Sequence, residues 1–440
     1  MHLKLISLLK EKIGNSTFVK SVALIAGGTA FAQVLSVILS PIITRIYPPD
    51  QYGVLTTYTA LLGLLSISSS LDYQNAIPIA EDDNIAFNLL TASMLILSAM
   101  SLVILILVMF LGEYFLQLFD SEILYTYKYF IPVGVFFTGI YNIVLQWGFR
   151  ERNYQVITRT KINQSIASNF TKVILGLTKF GSIGLILGTI IGQSAGITSL
   201  SMPIMKKRKL LSSIKQIKYV MKRYKNFPFY STPNNFISIA VGNFPALLLT
   251  SIFGTHATGL FGLANSITHL PMSLIGNSVS QVFYSEVANI GKSEPLKIKY
   301  IAKKLIKKIA LIALIPFVVL LFFGPWLFSF VFGSEWYDAG IYSRILSFMI
   351  YFGFIVTPVG RILEIFERQK DSLLFNIIRL SSIIIIFIIV KELRLNSFQA
   401  VALYSITNSF LYIAMLIMIR KILNQEIERI NKERNNSYEE

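Results

Sequence analysis

The sequence predicts an all-α polytopic membrane protein with about 12 transmembrane helices, set as two pseudo-symmetric sets of six. Three observations predict it. Apolar stretches of about twenty residues follow one another along most of the 440-residue chain, each long enough to cross the hydrocarbon core as a helix. Lys and Arg gather in alternate connectors, the bias that orients helices in a bilayer. A segment near the start of the first half recurs near the start of the second.

Composition agrees. The chain is 54% hydrophobic and only 14% charged, far less charged than a soluble domain of this size. Its net charge of +17 does not point to nucleic acid, because the basic residues sit beside apolar spans, where they meet anionic membrane lipids. There is no cysteine, which excludes disulfides and thiolate chemistry. His2, His256 and His269 have no zinc-binding spacing, and neither a metal nor a cofactor is expected.

The elements follow in order. Residues 1–16 read as an amphipathic interfacial helix interrupted by Lys4, Lys10 and Lys12. Spans are predicted at 18–43, 53–71, 85–111, 127–148, 156–178 and 182–204, then at 234–252, 258–284, 306–331, 340–362, 372–390 and 397–419. These divide the chain into an N-lobe (1–204), a basic connector (205–233), a C-lobe (234–419) and a charged tail (420–440). About 32 of the 40 Lys and Arg fall on one side, so both termini are expected in the cytoplasm. The acidic connector Glu81-Asp82-Asp83 dissents, but acidic residues weigh little in that rule. The recurring segment is Thr44–Leu55, which lies over Thr250–Phe261 without a gap. Both join the first span of a half to its second, as in a parallel internal repeat.

Charges inside spans are the sharpest functional pointers, because each is costly against lipid. The fifth span carries Lys161, Gln164, Ser165, Ser168, Asn169 and Lys172 at helical spacing, a polar stripe that either lines a wet cavity or packs against other helices. Arg379 stands two turns into the eleventh span. Arg45, Lys128 and Arg344 lie near outer span ends and Arg159 near an inner one, as cavity residues or interfacial anchors. These embedded charges are basic, and a cationic lumen suits an anionic ligand such as phosphate. Asp72, at the inner end of the second span, is the nearest acidic exception. Prolines at 132, 203, 245, 271, 316 and 358 are expected to bend spans. Gly181, Gly184, Gly188 and Gly192 are expected to let helices pack closely. Enzyme signatures are missing: no nucleophile elbow, no paired-histidine zinc motif, no second copy of the acidic cluster.

Thr44-Arg45-Ile46-Tyr47-Pro48-Pro49-Asp50-Gln51-Tyr52-Gly53 resembles the first-connector signature of polysaccharide biosynthesis proteins of the oligosaccharide flippase family, within the MATE-like MOP superfamily. Further matches are Gly184–Gly188, Phe227-Pro228, Phe253–Phe261 and Phe332-Gly333-Ser334-Glu335-Trp336 with Ala339-Gly340, in family order over nearly the whole chain. The resemblance implies twelve helices in two pseudo-symmetric six-helix lobes around a central cavity, in a multi-pass protein of the bacterial inner membrane. It implies flipping of a polyprenyl-diphosphate-linked oligosaccharide to the outer leaflet, for O-antigen, capsule or exopolysaccharide assembly, by alternating access. Expected partners are that lipid, the surrounding membrane lipids, a glycan polymerase and other assembly proteins, with the flippase itself a monomer. The alternative is a multidrug or metabolite antiporter on the same fold. Cation-extruding relatives use membrane-embedded carboxylates, and the first and seventh spans contain no Asp or Glu.

Overall fold

The computed structural model of the chain describes residues 17–117, 125–206 and 213–439. The expected interfacial helix at 1–16 lies outside them. Among the described residues the fold is helical throughout. Two compact units divide at Ile239/Ala240.

The first unit contains α1 (Thr17–Ile46), α2 (Pro49–Ser68), a short 3₁₀ helix (Tyr73–Ile79), α3 (Asp83–Gln117), α4 (Phe130–Arg150), α5 (Tyr154–Leu177), α6 (Ser182–Ser194), α7 (Ile197–Lys206) and α8 (Ile214–Arg223). Sequence chemistry sets several boundaries. Pro49 opens α2, where its missing N–H costs nothing. The Asn153 side chain caps α5 by accepting from the Val156 N–H, and Ser213 caps α8 through Gln216. Several apolar cores hold the unit together. One packs Tyr58, Leu62, Val135, Ile186 and Ile190; another packs Leu89, Leu97, Ile143 and Trp147.

α9 (Thr232–Pro271) carries the chain from the first unit into the second. The second unit continues with α10 (Asn277–Ile290), α11 (Pro295–Phe332), α12 (Tyr337–Val359), the short α13 (Ile362–Ile365), α14 (Gln369–Glu392) and α15 (Ser397–Glu439). One of its cores joins Phe283, Val287, Ile298, Val359, Ile362, Met415 and Ile419.

The two copies of the repeated segment both mark a break. Tyr47-Pro48 separates α1 from α2, and Pro48 is extended (φ −66°, ψ 164°). The aligned residue in the second copy, Gly254, interrupts α9 with φ 77° and ψ −175°, torsions that suit glycine.

Large apolar side chains cover the outside of many helices: Phe110 is 76% exposed, and Leu311 and Ile315 are 69% exposed. In water such a surface would drive aggregation; in hydrocarbon it is ordinary solvent contact. By length and composition nine helices among the described residues can cross a membrane, or ten if the bent pair of α2 and the 3₁₀ helix is one span. Twelve is not reached by that measure, for two physical reasons. The stretch Phe227–Ile290 counts once despite its break at Gly254, and α5 is too polar to qualify. Other expectations shift as well. The sixth span is broken between α6 and α7, α11 begins eleven residues early with its lysines already helical, and the tail continues α15 to Glu439. Pro271 leads directly into a π turn at Met272–Gly276.

Candidate transport site

The polar stripe of α5 is a seam between neighbouring helices. Lys161 Nζ donates to Thr29 Oγ1 of α1 at 3.0 Å, Ser165 Oγ to the Ala32 carbonyl at 2.8 Å, and Asn169 Nδ2 to Ser36 Oγ at 3.0 Å. On the α6 side, Gln164 Nε2 donates to the Gln193 carbonyl at 3.2 Å. A methyl on Gly188 would stand 2.5 Å from Lys172 Cγ, and one on Gly192 would stand 2.6 Å from Ser168 Cβ. The glycines of α6 therefore admit the side chains of α5, as the spacing predicted. Tyr47 of the first connector donates its hydroxyl to the Lys172 carbonyl at 2.7 Å and locks the C-terminal end of the seam on α5.

The remaining cations are dispersed. Arg45 and Arg159 are exposed. Lys128 is 8% exposed, with its ammonium 3.8 Å from the centre of the Tyr125 ring and 5.3 Å from that of Tyr129. Arg344 leans on the Phe322 carbonyl and keeps a buried Nε without a partner among the described residues.

Arg379 differs from these. It sits in the middle of the apolar α14, half-buried. Its Nε donates to Asn408 Oδ1 at 3.2 Å and its NH2 to the Tyr412 hydroxyl at 3.0 Å. The Tyr412 ring lies 4.8 Å from the guanidinium carbon, and His269 is within electrostatic reach. Among the described residues no carboxylate forms an ion pair with Arg379. Its charge is solvated by neutral groups and is free to attract an anion.

The first unit also holds a cavity of about 480 Å³ that a search for charges passes over. Its walls are α2, α4, α6 and the start of α9, and its floor is the 3₁₀ helix. Thr138, Asn142 and Gln146 contribute one face of α4 at four-residue spacing. Leu71 and Asp72 are both left-handed (φ 51° and 57°), and the chain bends by 61° between α2 and the 3₁₀ helix. That bend carries Asp72 to the cavity, where it is 4% exposed. Its carboxylate accepts from Asn235 Nδ2 at 2.7 Å and Asn75 Nδ2 at 3.1 Å, and Asn75 in turn accepts from Gln146 Nε2 at 3.1 Å. No Lys or Arg lines this cavity, and none of the embedded cations predicted as site residues reaches it. The sequence signal for it was the row of uncharged polar residues on α4, of the same period as the stripe on α5.

Residues 42–340 match the family of polysaccharide biosynthesis proteins, over more than half of the chain. The chain belongs to that family. No curated protein matches it. Among solved structures, this family member is similar to an inward-facing multidrug resistance MATE transporter of the MOP superfamily. That match has a TM-score of 0.73 and 16% identity, covering 90% of this chain and 96% of the other. It is also similar to the lipid II flippase MurJ in an inward closed conformation, with a TM-score of 0.72 and 17% identity over 92% and 91% of the two chains. A third likeness is to a MOP superfamily transporter from Pyrococcus furiosus, described as having a binding pocket of reversed polarity. Its TM-score is 0.59 and its identity 15%, over 92% and 96%. At these identities the likeness shows the fold: this family member is a multi-pass membrane protein with the MOP transporter architecture.

Proposed function

We propose that the protein flips a polyprenyl-diphosphate-linked oligosaccharide from the cytoplasmic to the outer leaflet of the bacterial inner membrane by alternating access. In this reading the cargo is a repeat unit of O-antigen, capsule or exopolysaccharide, and both termini are cytoplasmic. The observation that carries it is Arg379. A charge at the centre of a span costs about 2.5–3.5 kcal/mol on insertion scales. Here, among the described residues, the charge bonds to Asn408 and Tyr412, faces aromatic rings and has no carboxylate partner. A diphosphate headgroup would supply the missing negative charge, and a forked guanidinium suits phosphate oxygens. Lys161 and Lys172 add positive charge at two depths of α5, about 16 Å apart along the helix. Family membership in polysaccharide biosynthesis supports the same cargo class.

Replacing Lys161, Lys172 and Arg379 with Gln and scoring surface glycan in a strain lacking the native gene tests this. Loss of surface glycan by a stably inserted triple variant is expected; full export would overturn the cationic-site reading.

Asp72 favours the antiporter alternative, since it is a buried carboxylate in a polar cavity. Drug or cation efflux by vesicles that contain the protein, abolished by Asp72→Asn, would establish that function instead.

A further inference from the structure

We infer that the cavity of the first unit is a saccharide subsite, taking the uncharged hydroxylated rings of the cargo and not its phosphates; this rests on the flippase reading above. Its size, about 480 Å³, falls within the range of about 300–1,000 Å³ typical of ligand cavities. Its chemistry is what distinguishes it. Lys and Arg are missing from the lining, and the one carboxylate, Asp72, repels an anion. A cation is also poorly served, because both Asp72 oxygens already accept amide N–H bonds, from Asn75 and Asn235. A ligand that donates and accepts hydrogen bonds without net charge fits both facts.

Unsatisfied groups make the case independently. Ser66 and Thr138 line the cavity, and the hydroxyl oxygen of each is buried with no hydrogen-bond partner among the described residues. The side-chain amides of Asn142 and Gln193, also in the lining, form no hydrogen bond to the described residues. A buried hydroxyl left unpaired is costly, and such groups are usually satisfied by something. Sugar hydroxyls, which donate and accept as these groups do, would pair with the two amides directly and with the two hydroxyls once their side chains turn toward the cavity. The site is built on helices, so the donors are held in place before the ligand arrives.

The test uses the full chain in lipid nanodiscs and two probes: the oligosaccharide released from the host's surface glycan by mild acid, and inorganic diphosphate. Thr138→Val exchanges the unpaired hydroxyl for a methyl of the same shape, so its melting temperature is expected to be unchanged or higher. Its affinity for the oligosaccharide is expected to fall about three- to tenfold, the equivalent of one neutral hydrogen bond. Asn142→Leu is expected to weaken the oligosaccharide further, with diphosphate binding unchanged in both variants. Arg379→Gln is expected to do the reverse. If Asn142→Leu does not fold, Thr138→Val decides alone. Wild-type oligosaccharide affinity in the folded Thr138→Val variant would overturn the subsite and leave the flippase reading intact. Diphosphate binding without any oligosaccharide binding would do the same. Binding of neither probe would overturn the subsite and the flippase reading together.

Discussion

At the scale of single residues, the membrane interior turns every polar side chain into a question of partners. Asn169 answers it within the protein. It is 6% exposed and its amide donates to Ser36 and to the Ser165 carbonyl. Asn169→Ala leaves Ser36 and Ser165 short of that donor. The seam between α1 and α5 is expected to lose about 0.6–1.7 kcal/mol, from the average to the maximum found for hydrogen bonds between membrane helices. Thermal melting in detergent checks it; an unchanged midpoint would mean that water already serves these groups. Charged residues were easy to find in the sequence because each is rare and expensive inside a span. Arg379 and Lys172 were visible for that reason. Uncharged amides and hydroxyls carry a weaker signal, because in any one position they are tolerated. The Asp72 network was illegible for another reason: it depends on two consecutive left-handed residues, Leu71 and Asp72, that no local sequence rule demands of Leu and Asp.

At the scale of elements, two glycines act by different physics and can be told apart. Gly340 lies where α12 begins its passage along α11. A methyl there would stand 2.4 Å from Pro325 Cα and 2.6 Å from the Gly324 carbonyl oxygen, both backbone atoms that cannot step aside. Gly340→Ala is expected to cost about 1–3 kcal/mol through overpacking. Gly254 has open space around it but holds φ at 77°, so Gly254→Ala is expected to cost about 1–3 kcal/mol through backbone strain alone. Unfolding measurements on both, with Gly340→Ser as a larger probe of space, separate the causes: only the Gly340 series should worsen with side-chain size. Outside the spans, Lys292 holds the Glu367 carboxyl below its ordinary value by a direct hydrogen bond. A depressed carboxyl stabilises above its unfolded pKa of about 4.3, and that contribution fades as pH falls through the lower folded value. Charge reversal at Lys292 should remove this part of the acid sensitivity. The apolar runs made most helices legible. Their ends were less so: α11 and α15 extend well past the hydrocarbon because their lysine- and glutamate-rich ends are good helix formers, whatever the surrounding medium.

At the scale of the whole molecule, the internal repeat was the most informative feature of the sequence. Thr44–Leu55 and Thr250–Phe261 each bracket a helix break, one at Tyr47-Pro48 and one at Gly254, although only a few residues coincide. The repeat preserves the backbone event and lets its chemistry vary, Pro in one copy and Gly in the other. The sidedness of the molecule can be tested directly because the chain has no cysteine. Single cysteines at Ser213 and Glu294 are expected to resist a membrane-impermeant maleimide in intact cells, and one at Lys179 to react; the opposite pattern would invert the topology. What the sequence did not disclose was the partition of polar groups within the first unit, between the α5 seam and the α4 cavity. Both show the same helical period, and only packing tells which row meets a neighbour and which meets open space. The central claim is that the protein moves a lipid-linked saccharide across the bilayer. Its most direct test is reconstitution into liposomes carrying the host's own polyprenyl-diphosphate-linked oligosaccharide in the inner leaflet. Arrival of the sugar at the outer surface is read with a glycosidase or lectin added outside. Protein-dependent exposure of the sugar, lost in Arg379→Gln, is the predicted result; a sugar that stays on its original side in the presence of folded, correctly inserted protein would contradict it.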